Sequence, residues 1–151
     1  MKGNRRADAA VLILRVGLGL ILMFYGSQKL FGAFGGHGPR ETIDFFHDHF
    51  GFPAPFAVLD MCAEFFGGLG MVVGLLTSVA AFGNVCGMAV ATYENCQTPG
   101  LADAILHGGS VDISKPFFTM SILLGALAVM IVGGGEFSLD SKFFLKGKGR
   151  R

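Results

Sequence analysis

The chain has 151 residues, of which 52% are hydrophobic and only 15% charged, with 24 glycines, 16 phenylalanines and no tryptophan. A net charge of +1 at pH 7 gives no sign of a nucleic-acid partner, and three cysteines without a C-x-x-C spacing argue against a paired redox dithiol. An apolar, glycine-rich, non-repetitive composition of this kind points to an integral membrane protein with closely packed helices.

The basic start, Lys2, Arg5 and Arg6, leads into an apolar run from Ala9 to Gly26. That run is long, carries Arg15 near its middle and ends in Tyr25-Gly26-Ser27-Gln28 without a small-residue cleavage site. It reads as a retained first transmembrane helix over 9–31 rather than a signal peptide. The turn Phe34-Gly35-Gly36-His37-Gly38-Pro39 is conformationally permissive, and Glu41 to Phe50 then reads as a short amphipathic helix on the outer face. Thr42 is its candidate cap, and Ile43, Phe45, Phe46 and Phe50 are expected to rest on the membrane surface. Gly51-Phe52-Pro53-Ala54-Pro55 breaks the chain, with Pro55 at a first-turn position where its missing N–H costs little.

Three further apolar segments, 55–76, 78–94 and 116–134, complete the expected fold. Each is close to the roughly 20 residues that cross a hydrocarbon layer about 30 Å thick. The expectation is a single all-α domain over 1–151: an antiparallel bundle of four transmembrane helices, with the short amphipathic helix between the first two. The uncharged turn Leu75-Leu76-Thr77-Ser78 makes helices two and three a hairpin. Lys and Arg concentrate at the termini, including a basic tail over 142–151, whereas the two opposite loops carry only Lys29, Arg40 and Lys115. Both termini are therefore expected in the cytoplasm.

Polar residues inside the spans are the candidate binding cluster, because charge in hydrocarbon is costly unless paired. At 1.5 Å of rise per residue, Arg15 and Asn84 lie at similar depths, roughly 9 Å from the inner edge, close enough to meet. Asp60 and Glu64 share one face of the second helix, some 8 and 14 Å below the outer edge. Arg15 is expected to reach Glu64 from below, with Lys29, Asp60, Tyr93 and Glu94 forming an upper polar layer. An ion pair that fixes helix register is the competing structural role for Arg15 and Glu64. No catalytic residue stands out.

The four histidines, His37, His47, His49 and His107, all fall in the outer loops, which disfavours a haem held inside the bundle. They are weak candidates for a metal site, since His47 and His49 point to different faces of a helix. Cys62 and Cys86 read as packing residues and Cys96 as a thiol near the outer surface.

Gly26-Ser27-Gln28-Lys29-Leu30-Phe31-Gly32, Phe34-Gly35-Gly36-His37-Gly38, Glu64-Phe65-Phe66-Gly67-Gly68-Leu69, Gly74-Leu75-Leu76-Thr77 and Phe137-Ser138-Leu139-Asp140 follow one another in an order that resembles the DoxX family. The resemblance covers about Ala9 to Phe144. It implies a multi-pass protein of a bacterial or archaeal inner membrane, in a group that includes small subunits of quinone-linked oxidoreductases. Relatives are tied to thiosulfate:quinone oxidoreductase and to a mycobacterial oxidative-stress complex. It also marks departures: Ser78 where a basic residue is common, Tyr93-Glu94 where a histidine is common, and Lys115-Pro116 where a carboxylate is common.

The function expected from residues and resemblance together is an accessory subunit of a quinone-linked membrane oxidoreductase. It has no intrinsic cofactor, a quinone as the candidate ligand, and membrane lipids, an oxidoreductase subunit or a second copy of itself as candidate partners. A small transporter or a lipid-binding scaffold without redox chemistry is the alternative.

Overall fold

The computed structural model describes residues 5–108 and 111–144. Among these the regular structure is helical: α1 (Arg5–Phe31), α2 (Gly38–Phe50), α3 (Ala54–Val73), α4 (Thr77–Cys96), a single turn α5 (Leu101–Asp103) continued by a π-helical turn over Ala104–Gly108, α6 (Ser114–Val132) and α7 (Leu139–Phe144). α1, α3 and α6 are each long and apolar enough to cross a membrane. α4 matches α3 in length but is less apolar, because Thr77, Ser78, Asn84, Thr92, Tyr93, Glu94 and Asn95 interrupt it. The long helices start or end within four residues of the expected boundaries.

The four long helices pack in the order α1, α3, α4, α6, and α6 returns to α1. Apolar side chains gain little by leaving lipid for protein, so in such a bundle close packing and polar contacts decide the association. Glycines supply the close packing between α1 and α3. A Cβ on Gly19 would lie 2.6 Å from the carbonyl oxygen of Gly68, and one on Gly26 would lie 2.6 Å from the amide nitrogen of Phe65. Leu18, Leu22, Met71, Ala81, Met88, Ile122 and Val129 fill the centre of the bundle.

The connections follow their sequence signals. Gly51 ends α2 in the left-handed region at φ +65°, and Pro55 sits in the first turn of α3, as the sequence predicts. Gly74 ends α3 at φ +77°, and the next positive φ falls on Leu76, at +49°, an uncommon conformation for a branched side chain. Asn84 and Ala80 face Gly67, and Gly83 faces Ala63, so the hairpin is antiparallel. The N- and C-terminal segments meet at one end of the bundle, where the Glu136 amide donates to Asp8 Oδ1 at 3.2 Å. α2 lies at the opposite end, called here the loop end.

Two expectations need correction. The helix expected from Glu41 begins at Gly38, because Pro39 favours the first turn. Thr42 is therefore inside α2 rather than at its cap, and its hydroxyl donates to the Gly38 carbonyl at 2.8 Å. Lys142 lies in α7, while residues 145–151 of the expected basic tail are outside the described residues.

Candidate functional site

The last turn of α1 carries Lys29, and successive turns of one face of α3 carry Asp60 and Glu64. Lys29 Nζ donates to Glu64 Oε1 at 2.6 Å and to Asp60 Oδ2 at 3.3 Å. Gly26 makes this possible by letting the α1 backbone lie against Glu64 and Phe65. On the far side, Gly87 of α4 lies so close to the Asp60 carboxylate that a side chain there would collide with it. The Glu64 side chain is only 2% exposed, and its Oε2 has no hydrogen-bond partner. One ammonium thus holds two carboxylates, one of them deep in the bundle.

Above this triad is a cavity of about 500 Å³, within the range of about 300–1,000 Å³ typical of small-molecule sites. Lys29 and Asp60 line its base, and Val90, Ala91, Glu94 and Asn95 of α4 form one wall. Phe45, Phe46 and Phe50 of α2 line its other side, and Phe46 packs on Phe50 with ring centroids 5.6 Å apart. His37 and Glu41 line the rim, 2.8 Å apart through Nδ1 and Oε2. Three of the phenylalanines expected on the membrane surface therefore line a pocket with a charged base.

The polar cluster expected from the sequence divides into separate places. Lys29, Asp60, Glu64 and Glu94 come together at the loop end. Tyr93 does not join them: it is 64% exposed, one residue around the helix from the cavity wall. Arg15 does not pair with Glu64. Its Nη1 donates to the carbonyls of Met71 and Val72 at 2.8 and 3.0 Å, and its Nη2 donates to Phe137. Met71 is seven residues beyond Glu64 on α3, about 10 Å along the axis. Asn84 makes no bond to Arg15 either; its amide donates to the Ala80 carbonyl at 2.9 Å, and its Oδ1 is buried without a partner. Arg15 thus lies too far along the axis to reach Glu64, and the Asn84 amide turns back onto its own helix.

The histidines are dispersed. His47 lies 3.3 Å from Asp48, His107 lies 3.0 Å from Asp103, and His49 stacks on Phe45. Among the described residues no three His, Cys, Asp or Glu side chains are grouped to hold a metal ion. Cys86 and Cys96 are exposed, and Cys62 is partly so.

Residues 10–94, more than half of the chain, match the sequence model of the DoxX family. The chain belongs to the DoxX family. Comparison with curated proteins and with solved structures gives no match. The fold explains the order of motifs in this DoxX chain, because they meet in two groups. At the loop end, Lys29 of the first motif bonds Glu64 of the third, and Gly36 of the second packs against Gln28 of the first. At the terminal end, Gly74-Leu75-Leu76-Thr77 meets Phe137-Ser138-Leu139-Asp140.

The second meeting is a capping site that the sequence reading missed. Asp140 accepts from the amides of Leu76 and Thr77 at 2.6 and 2.8 Å and from the Thr77 hydroxyl at 2.6 Å, while its own amide donates to Gly74 at 2.9 Å. It thus caps α4 from 63 residues away in sequence, which local signals cannot reveal. Burial pushes the Asp140 carboxyl up, but the Thr77 and Leu76 hydrogen bonds and the nearby Arg15 charge outweigh this and hold it below its ordinary value. A carboxyl lowered on folding contributes stability above its unfolded pKa, about 4, and that stability is lost as pH falls through the folded value. Asp140→Asn is expected to cost about 1 kcal/mol at pH 7. Thermal unfolding of the detergent-solubilised protein checks this, and the gap between variant and wild type should close below about pH 4.

Proposed function

We propose that this DoxX protein is a four-span subunit of a quinone-linked membrane oxidoreductase, with both termini in the cytoplasm and a quinone headgroup bound beneath α2. One observation carries the proposal: the cavity joins an aromatic wall to a lysine held between two carboxylates, at the end of apolar helices. α4 serves as the fourth span, since its 20 residues reach about 30 Å and its acidic residue faces the cavity.

The residues fit an aromatic ligand that changes both charge and proton content. A bound quinone supplies two-electron, two-proton redox chemistry, and the electrons pass to or from a partner subunit. Lys29 has three N–H donors, of which two are engaged by Asp60 and Glu64; the third orients a carbonyl. Asp60 lies at the base of the cavity and exchanges a proton with the ligand oxygen. Phe45, Phe46 and Phe50 pack on the ring and keep water from the base. Arg15 has no part in this site.

The test is binding of a short-tailed benzoquinone to the detergent-purified protein by calorimetry. Saturable binding weakened at least tenfold in Phe46→Ala supports the site. Absence of binding, together with solute flux in liposomes holding this chain alone, would move the assignment to a transporter.

A further inference from the structure

The cavity has many hydrogen-bond acceptors and few donors, and that imbalance says which form of the ligand it prefers. On the donor side, Lys29 has already placed two of its three N–H groups on Asp60 and Glu64. Asn95 has spent one of its two amide hydrogens on the Ala91 carbonyl at 2.8 Å. The Thr42 hydroxyl donates into α2, to Gly38. With Nδ1 donating to Glu41, a neutral His37 offers only an acceptor at Nε2. Two N–H groups are thus left for a ligand.

On the acceptor side are three carboxylates on the cavity lining, Asp60, Glu94 and Glu41. Asp60 takes one bond, from Lys29, and Glu41 one, from His37, which leaves each an uncommitted oxygen. Among the described residues the Glu94 carboxylate has no hydrogen-bond or ion-pair partner, so both of its oxygens are available. An ionised carboxylate can only accept. A carbonyl oxygen facing it has no proton to offer and is repelled, whereas a hydroxyl donates a short, charge-assisted bond. A neutral ligand that brings its own O–H groups therefore matches this lining, and one that brings only carbonyls does not.

We infer that the cavity selects the reduced, dihydroxy form of its aromatic ligand, a hydroquinone, over the quinone. This rests on the quinone-site reading above and assigns the redox form that the site holds. One hydroxyl sits at the base on Asp60, and the other faces Glu94 across the ring plane that Phe46 packs on. The carboxylates then discriminate between two ligands of nearly equal size and hydrophobicity, a distinction that the aromatic wall cannot make. Leaving Glu94 without a donor is the penalty that the quinone pays.

The test compares a short-tailed benzoquinone with its hydroquinone, both titrated anaerobically into the detergent-purified full chain. The hydroquinone is expected to bind about tenfold more tightly. Glu94→Gln, which gives the wall an N–H donor, is expected to bring the two affinities within about twofold, chiefly by strengthening quinone binding. Asp60→Asn should act in the same direction; if it does not fold, Glu94→Gln alone decides, since Glu94 is outside the ion triad. Equal affinities, or tighter quinone binding by the wild type, would overturn the inference while leaving the binding site in place. Failure of both ligands to bind would overturn the site itself.

Discussion

Lys29→Met is expected to cost about 3–5 kcal/mol, the range found when one partner of a buried ion pair is removed. The loss comes less from the missing bonds than from what remains. Glu64 is 2% exposed and sits with Asp60 on the same face of α3, so without Lys29 two carboxylates face each other in a poorly hydrated site. Glu64→Gln added to Lys29→Met should restore more than half of the loss, because the deep charge then disappears together with its partner. The measurement is thermal unfolding of the three proteins in one detergent. Equal stability of Lys29→Met and the double variant would show that Glu64 is solvated, against the geometry.

Arg15→Met is expected to cost about 3 kcal/mol through a different route. Arg15 is 1% exposed and donates to three carbonyls, those of Met71, Val72 and Phe137, where α3 runs out of its own amide donors. Truncation leaves these acceptors without a partner, at about 1–3 kcal/mol for each that stays buried. It also removes the link between the end of α3 and the segment that carries Asp140 onto α4. Hydrogen exchange should therefore rise at Leu76 and Thr77, whose amides Asp140 holds. Ligand affinity at the loop end should be unchanged, since Arg15 is about 21 Å below Lys29 along α1. A loss of affinity without a loss of stability would place Arg15 in the binding site after all.

Both expectations turn on which acceptors each cation meets, and here the sequence reaches a physical limit. Rise per residue is a constant of the helix, so depth in the bundle could be read from residue numbers: Asp60 and Glu64 one turn apart, Arg15 far from Lys29. Rotation about the axis and the neighbours of each face are not local properties. They depend on how closely helices approach, which here is set by Gly19, Gly26 and Gly68 across α1 and α3. With α1 pressed against α3 at Gly26, Lys29 takes Glu64, and Arg15 is left to the carbonyls below. Tyr93 illustrates the same limit: adjacent to Glu94 in sequence, it is turned away from the cavity by one step of the helix.

By itself the sequence determined the solvent, the helical class, the main boundaries and the family. These follow from composition, from the length of apolar runs, from Gly and Pro at chain breaks, and from ordered motifs. Only the tertiary structure decided that α2 lines a cavity, that Lys29 rather than Arg15 neutralises Glu64, and that Asp140 caps α4. The last two are contacts between residues 35 and 63 positions apart, and all three are fixed by packing between helices, which no local pattern encodes.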